Sequence, residues 1–199
     1  MEQKEVWNKI AIPWKKCRKN IGNDVFNFLN KHEEGNLLDL GCGSGRNFIK
    51  RKGKIYAVDF SEKMIELAKK TANEKEIEII SSVMNEEKID YPDEYFDVAV
   101  FIAVLHCVET KEKRERLLKE LYRVLKKDSE AMITVWARKN QRLKNKPKEG
   151  FLPWTVNDKK YLRYTYIFEK EELEFLLKKV GFKILSSINN ENISIVVKK

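Results

Sequence analysis

An apolar run at Leu37-Leu38 leads without a break into Asp39-Leu40-Gly41-Cys42-Gly43-Ser44-Gly45. Three alternating glycines let the chain turn sharply and let a ligand approach the backbone with no Cβ in the way. A strand that ends in such a loop and continues into a helix is the nucleotide-binding corner of an open α/β sheet. No other segment constrains the fold as strongly. Asp59 stands twenty residues beyond Asp39, at the end of the next apolar strand. A carboxylate there can accept hydrogen bonds from both hydroxyls of a ribose. A dinucleotide fingerprint needs another small residue at position 46, and Arg46 stands there, which disfavours NAD and FAD.

The rest of the chain alternates strand and helix. Val25, Phe26, Phe28 and Leu29 predict a helix over 23–31, ended near Gly35. Strands are expected at 36–40, 54–58, 77–80, 96–104 and 131–136, the fourth apolar but for Asp97, as in a strand buried on both faces. A short helix should follow the glycine loop. A second should start at the N-cap Ser61, and a third near Thr110, burying Leu117, Leu118, Leu121, Val124 and Leu125. The rhythm stops after Trp136 and resumes with a helix near 169–180, closed by Gly181. Strands at 183–188 and 193–197 flank Asn189–Asn192 and should pair antiparallel. Such alternation predicts an α/β fold, a mostly parallel sheet with helices on both faces, in a single domain over 1–199.

Charge adds a partner class. Lys and Arg number 40 against 31 Asp and Glu, a net charge of +9, which favours a polyanion. A mixed-charge surface that merely solvates is the plain alternative. The distribution is uneven: Arg138 to Arg163 holds nine basic residues against Glu149 and Asp158. No apolar run approaches the roughly 20 residues of a membrane span. The charged start Met1-Glu2-Gln3-Lys4-Glu5 lacks a signal-peptide core, so the expected location is cytoplasmic. Three cysteines without a Cys-x-x-Cys and only two histidines exclude a disulfide framework and disfavour any metal site.

The glycine loop, the acid Asp59 and the strand Phe96-Asp97-Val98-Ala99-Val100 resemble class I S-adenosylmethionine-dependent methyltransferases. That resemblance implies a Rossmann-like, seven-stranded, mostly parallel sheet whose last strand is antiparallel. It implies S-adenosyl-L-methionine as cofactor. Asp39, Gly41, Cys42, Gly43 and Gly45 would surround the methionine moiety and Asp59 the ribose. Phe60, Met64, Met84, Ile102 and Ala103 would line the site, with Asn85 accepting from the adenine amino group where the family often has Asp.

Further segments narrow the match. Ile102-Ala103-Val104-Leu105-His106-Cys107, Leu121-Tyr122-Arg123-Val124-Leu125-Lys126 and Val135-Trp136-Ala137 resemble the tRNA wobble-uridine carboxymethyl methyltransferase family. So do Phe151-Leu152-Pro153-Trp154, Arg163-Tyr164, Phe168 to Leu173, and Ile10-Ala11, Trp14 and Arg18 near the N-terminus. Three departures stand out: Cys107 in place of a second His, Lys127-Asp128-Ser129-Glu130 in place of Pro-Gly-Gly, and Ile21-Gly22 in place of Pro-Trp.

This resemblance implies esterification of 5-carboxymethyluridine at the anticodon wobble position, with 1–22 on the substrate side and 138–168 as a basic insert. A carboxylate with a pKa of about 4 is already ionised, so no general base is needed. Arg18 and Arg163 are candidates to grip it in fork geometry, each with a surface or phosphate-contacting role as alternative. His106 should face the cofactor at the end of the central strand, orienting substrate or merely capping the strand. Tyr164, Tyr166, Trp154 and Trp14 are candidates to stack on the base or to pack in the core. The insert would hold the phosphates of the anticodon stem and loop. The resemblance also implies a small zinc-binding methyltransferase-activator protein as partner. A small-molecule methyltransferase and a non-catalytic RNA-binding subunit are the alternatives.

Overall fold

A computed structural model describes residues 1–85 and 87–199. In chain order its elements are α1 (Gln3–Cys17), α2 (Asn23–Lys31), β1 (Leu37–Leu40), β2 (Ile55–Asp59), α3 (Glu62–Glu74), β3 (Ile79–Val83) and β4 (Phe96–Ile102). A single 3₁₀ turn at Leu105–Cys107 precedes α4 (Lys111–Val124), β5 (Leu125–Trp136), β6 (Glu149–Val156) and β7 (Lys159–Tyr166). The chain closes with α5 (Lys170–Val180), β8 (Lys183–Asn189) and β9 (Asn192–Lys198).

Seven strands form one sheet in the order β3-β2-β1-β4-β5-β9-β8, with β9 antiparallel to both neighbours and the other pairs parallel. The strand order reverses between β1 and β4, which opens a crevice at their carboxyl ends. Every position of β1 and β2 is buried, as expected of central strands covered on both faces. Helix caps follow the sequence: Met64 N–H donates to Ser61 Oγ at 3.1 Å, and Lys113 N–H donates to Thr110 Oγ1 at 3.2 Å. Gly181 ends α5 at φ 119°. Among the described residues no helix is long and apolar enough to cross a membrane.

Three expectations need correction, and one segment without an expected element proves helical. The short helix after Gly45 is absent: residues 43–47 are turns, because Gly43 and Gly45 hold φ of 54° and 82° and Lys50-Arg51-Lys52 offer no apolar face to bury. β3 begins two residues later than expected. β5 begins at Leu125, since Asp128 at φ 65° supplies the left-handed residue that a glycine would. The segment before Trp14 is a helix: Val6, Trp7, Ile10 and Ala11 form its buried face, packed on α3.

The basic insert is also ordered. β6 and β7 form a two-stranded antiparallel hairpin, with Val156 opposite Lys159 across Asn157-Asp158. Both turn residues have positive φ, 46° and 61°, the signature of a type I′ turn. Asp158→Gly should therefore raise stability by about 0.5–1 kcal/mol, read as a higher midpoint in urea with an unchanged slope. An unchanged midpoint would mean that the turn is not what holds the hairpin.

α1 ties these parts together. Asn8 Oδ1 accepts from Ser61 Oγ at 2.6 Å and from Lys63 N–H at 3.2 Å at the start of α3. At its first residue, Gln3 donates to Leu162 O at 3.2 Å and accepts from Tyr164 N–H at 2.8 Å. A helix pinned this way holds β7 over the crevice.

Candidate active site

The crevice at the ends of β1, β2 and β4 encloses about 790 Å³ with its open mouth, the size range of small-molecule sites. Gly41, Cys42, Gly43, Asp59, Phe60, Met64, Met84, Ile102 and Ala103 line it, as the sequence led us to expect. Gly43 faces open space: nothing lies within 4 Å of the position a Cβ would take, so its backbone is free to meet a ligand. At Gly41, φ is 70° and a Cβ would stand 2.3 Å from Val104 Cγ2, which only glycine avoids.

Three of the expected residues, Asp39, Gly45 and Asn85, lie outside the lining. Gly45 turns away and rests on the Phe48 ring. Asn85 is exposed and does not reach the crevice. Met84 N–H donates to Asp59 O at 2.9 Å, which keeps position 84 at the strand end, against the crevice. The expected adenine contact by Asn85 therefore has no support in its placement.

Asp39 lies just behind the lining and is 1% exposed, and neither carboxylate oxygen has a hydrogen-bond partner among the described residues. Burial pushes its pKa up to about 7, opposed by the neighbouring Asn47 side chain and the Arg46 charge. A buried carboxylate below a glycine loop is the complement of an ammonium group. Asp59 accepts from Ser61 N–H and Gly43 N–H, both at 2.9 Å. Burial nevertheless pushes it up to about 6. A carboxyl aimed at the loop in this way suits the two hydroxyls of a ribose.

The second half of the site centres on Arg163. It is 5% exposed, and all four tryptophans of the chain surround it. Its guanidinium carbon lies 5.9 Å from the Trp7 ring centre, 5.0 Å from Trp14, 5.9 Å from Trp136 and 5.2 Å from Trp154. Nε has no partner, and among the described residues no carboxylate pairs with the group. Burial and the Arg18 charge lower its pKa. Arg18, just past α1, stacks on Trp14 at 5.2 Å and lines the crevice with Trp7, Trp14, Arg46 and Asn47. Indoles can hold a cation in part, but an unpaired buried guanidinium still calls for an anion.

Of the four candidate catalytic residues Arg18 lines the crevice, and Arg163, His106 and Tyr164 do not. β4 ends at Ile102, and the 3₁₀ turn buries His106 while Cys107 lines the crevice. The His106 ring stacks on Trp136 at 4.4 Å, and Nδ1 accepts from Trp136 N–H at 3.4 Å. Burial, with the charges of Arg163 and Arg46, lowers its pKa to about 3, so it stays neutral and braces Trp136. Burial pushes Cys107 up to about 12. Tyr164 turns to the hairpin face opposite Arg163. Its hydroxyl accepts from Arg114 at 3.1 Å and donates to Glu149 at 2.9 Å. Tyr166 packs under the Arg114 guanidinium at 4.1 Å, so neither tyrosine is placed to stack on a ligand in the crevice.

Sequence reasoning missed Trp7, Arg46 and Asn47. For Trp7 the signal was present: Trp7 and Trp14 stand seven apart, on one face of a helix. The positions of Arg46 and Asn47 follow from turns that replaced an expected helix.

Residues 38–133 match the methyltransferase domain family. The chain is 26% identical over 207 residues to the tRNA (carboxymethyluridine(34)-5-O)-methyltransferase of Schizosaccharomyces pombe, covering 91% of this chain and 88% of that one. A solved SAM-dependent methyltransferase from Methanosarcina mazei superposes with a TM-score of 0.73 at 24% identity, over 90% of this chain and 98% of that one. Residues 38–133 form a methyltransferase domain, and the chain has the fold of S-adenosylmethionine-dependent methyltransferases. It is also 30% identical over 133 residues to the Homo sapiens "Probable tRNA methyltransferase 9B", which covers 65% of this chain. This methyltransferase spans only 28% of that relative's length. The cofactor fits what is present: an orphaned acid for its ammonium, a second acid for its ribose, and an open glycine backbone between them.

Proposed function

We propose that this methyltransferase esterifies the carboxylate of 5-carboxymethyluridine at the wobble position of tRNA, giving 5-methoxycarbonylmethyluridine. The observation that carries the reading is Arg163, a buried cation that no acid pairs with among the described residues, enclosed by four indoles beside the cofactor crevice. S-adenosylmethionine supplies an electrophilic sulfonium methyl. One carboxylate oxygen forms a bond to that carbon as the carbon–sulfur bond breaks, and sulfur keeps the electron pair. No proton moves. The chain's own part is therefore placement. Arg163 and Arg18 hold the carboxylate, and the indoles exclude water from a step in which opposite charges cancel. A neutral His106 and a protonated Cys107 agree with chemistry that needs no base.

The names of the relatives support tRNA as substrate, and so does the basic insert. Arg142, Lys144 and Lys146 are exposed and make no ion pair among the described residues. Affinity for an anticodon stem–loop should therefore fall steeply between 50 and 200 mM salt, and neutralising all three should flatten the slope by about three. Equal slopes would return the loop to a solvated surface.

The deciding experiment is nucleoside mass spectrometry. The protein is incubated with S-adenosylmethionine and tRNA bearing carboxymethyluridine, with and without the zinc-binding activator that the resemblance implies. A gain of one methyl on that nucleoside supports the reading. An unchanged nucleoside with the cofactor bound favours a small-molecule acceptor, and failure to bind the cofactor favours a non-catalytic RNA-binding subunit.

A further inference from the structure

β7 pairs with β6 alone, so among the described residues no strand covers its other edge. The Gln3 side chain stands there instead. Its amide donates to Leu162 O at 3.2 Å and accepts from Tyr164 N–H at 2.8 Å. One side chain thus satisfies the two peptide groups on either side of Arg163, as a peptide group of an adjoining strand would. Gln3 is buried and lies outside the lining of the cofactor crevice.

A second side chain holds the same strand from the hairpin's opposite face. Arg114 of α4 is buried and donates to Val108 O at 2.8 Å, to Glu109 O at 3.2 Å and to the Tyr164 hydroxyl at 3.1 Å. Val108 and Glu109 directly follow the turn that puts Cys107 in the crevice lining. The guanidinium therefore joins β7 to a wall of the crevice, and the Tyr164 hydroxyl carries the link on to Glu149 of β6. Arg114 is outside the crevice lining as well.

We propose that Gln3 and Arg114 are positioning residues that set where the Arg163 guanidinium stands relative to the cofactor's sulfonium methyl. The four indoles around Arg163 attract its charge but form no directional bond, so they allow it to slide. Its place is therefore set through the backbone of β7. Gln3 ties that backbone to α1 on both sides of Arg163, and Arg114 ties the next side chain to α4. Methyl transfer needs a carboxylate oxygen in line behind the methyl, and a misplacement of about 1 Å can cost on the order of 100-fold in rate. Neither residue has to touch a ligand to have that effect.

This inference rests on the acceptor reading above, and its test separates the two. Gln3→Met keeps the length of the side chain and removes both hydrogen bonds. It should lower kcat for anticodon stem–loop RNA carrying carboxymethyluridine about 30-fold, with KM changed less than about threefold. Tyr164→Phe keeps the ring but cuts Arg114 from β7, and should lower kcat about fivefold. Affinity for S-adenosylhomocysteine should stay within about twofold of wild type in both. The deciding readout is the combination with Arg163→Met. In that background each change should alter the residual rate less than about twofold, because both act through the guanidinium, whereas a merely structural role would leave the losses multiplying. Multiplying losses, or wild-type kcat in both variants, overturn the proposal. Should Gln3→Met fail to fold, Tyr164→Phe decides by the same cycle. If the wild-type enzyme leaves carboxymethyluridine unmethylated, the acceptor reading falls, and the positioning is judged from the Arg163 Nε–H resonance, assigned by its loss in Arg163→Met. A shift or broadening of that resonance in Gln3→Met or Tyr164→Phe supports the proposal, and an unchanged resonance in both overturns it.

Discussion

Arg163→Met should cut kcat/KM for the carboxymethyluridine acceptor by 100-fold or more while raising the melting temperature of the unliganded protein. Loss of one partner of a buried, hydrogen-bonded charge pair costs about 2–5 kcal/mol, which is roughly 30- to 4,000-fold in rate. Arg163→Lys keeps the charge but not the fork and should recover part of the loss. Stability should move the other way because the guanidinium is buried and, among the described residues, no acid pairs with it. Desolvation of such a charge costs several kcal/mol, more than the ~2 kcal/mol that cation–π contacts return. Methionine has the length to occupy the slot between the indoles. Affinity for S-adenosylhomocysteine should change less than twofold, and an RNA carrying the neutral carbamoylmethyl analogue should not be methylated by the wild-type enzyme. Lost activity together with a lower melting temperature would make Arg163 a structural residue and put the carboxylate site elsewhere.

Asp39 and Asp59 should make the empty protein lose stability as pH rises, and cofactor should restore it. Both carboxyls titrate higher in the folded chain than the ordinary 3.8, at about 7 and about 6. The folded state therefore binds their protons more tightly, and the stability this confers is lost as pH climbs from about 4 to 7. An ammonium beside Asp39 and hydroxyls on Asp59 favour the ionised forms, so binding releases protons. Affinity for S-adenosylhomocysteine should rise with pH and level off above 7. Calorimetry in buffers of different ionisation enthalpy would read the proton release, and thermal melts from pH 5.5 to 7.5 the stability. Asp39→Asn should remove most of the pH slope and weaken the cofactor about 100-fold. Affinity independent of pH would mean that Asp39 is already ionised in the empty site.

The cofactor half of the site was legible because its requirements are local. Asp39 to Gly45 is one segment, and glycine there answers a positive φ at Gly41 and an open approach at Gly43. Ser61, Thr110 and Gly181 announced helix ends by capping chemistry that spans a single turn. The hairpin was hidden because its I′ turn is Asn157-Asp158 rather than Asn-Gly, and because Pro153 interrupts a strand pattern.

The amino-acid sequence alone determined the sheet, the glycine loop and the two acids, since backbone preference and apolar periodicity act over a few residues. Only the tertiary structure decided the acceptor side. Trp7, Trp136, Trp154 and Arg163 come from α1, β5, β6 and β7, and nothing in their spacing says that they meet. It also decided which candidates face the ligand. Burial, not residue type, holds His106 neutral behind Trp136, sends Tyr164 to Arg114, and leaves Arg163 as the cation in want of an anion. Side-chain chemistry is written in the chain, but charge state and facing are set by what packs around each group.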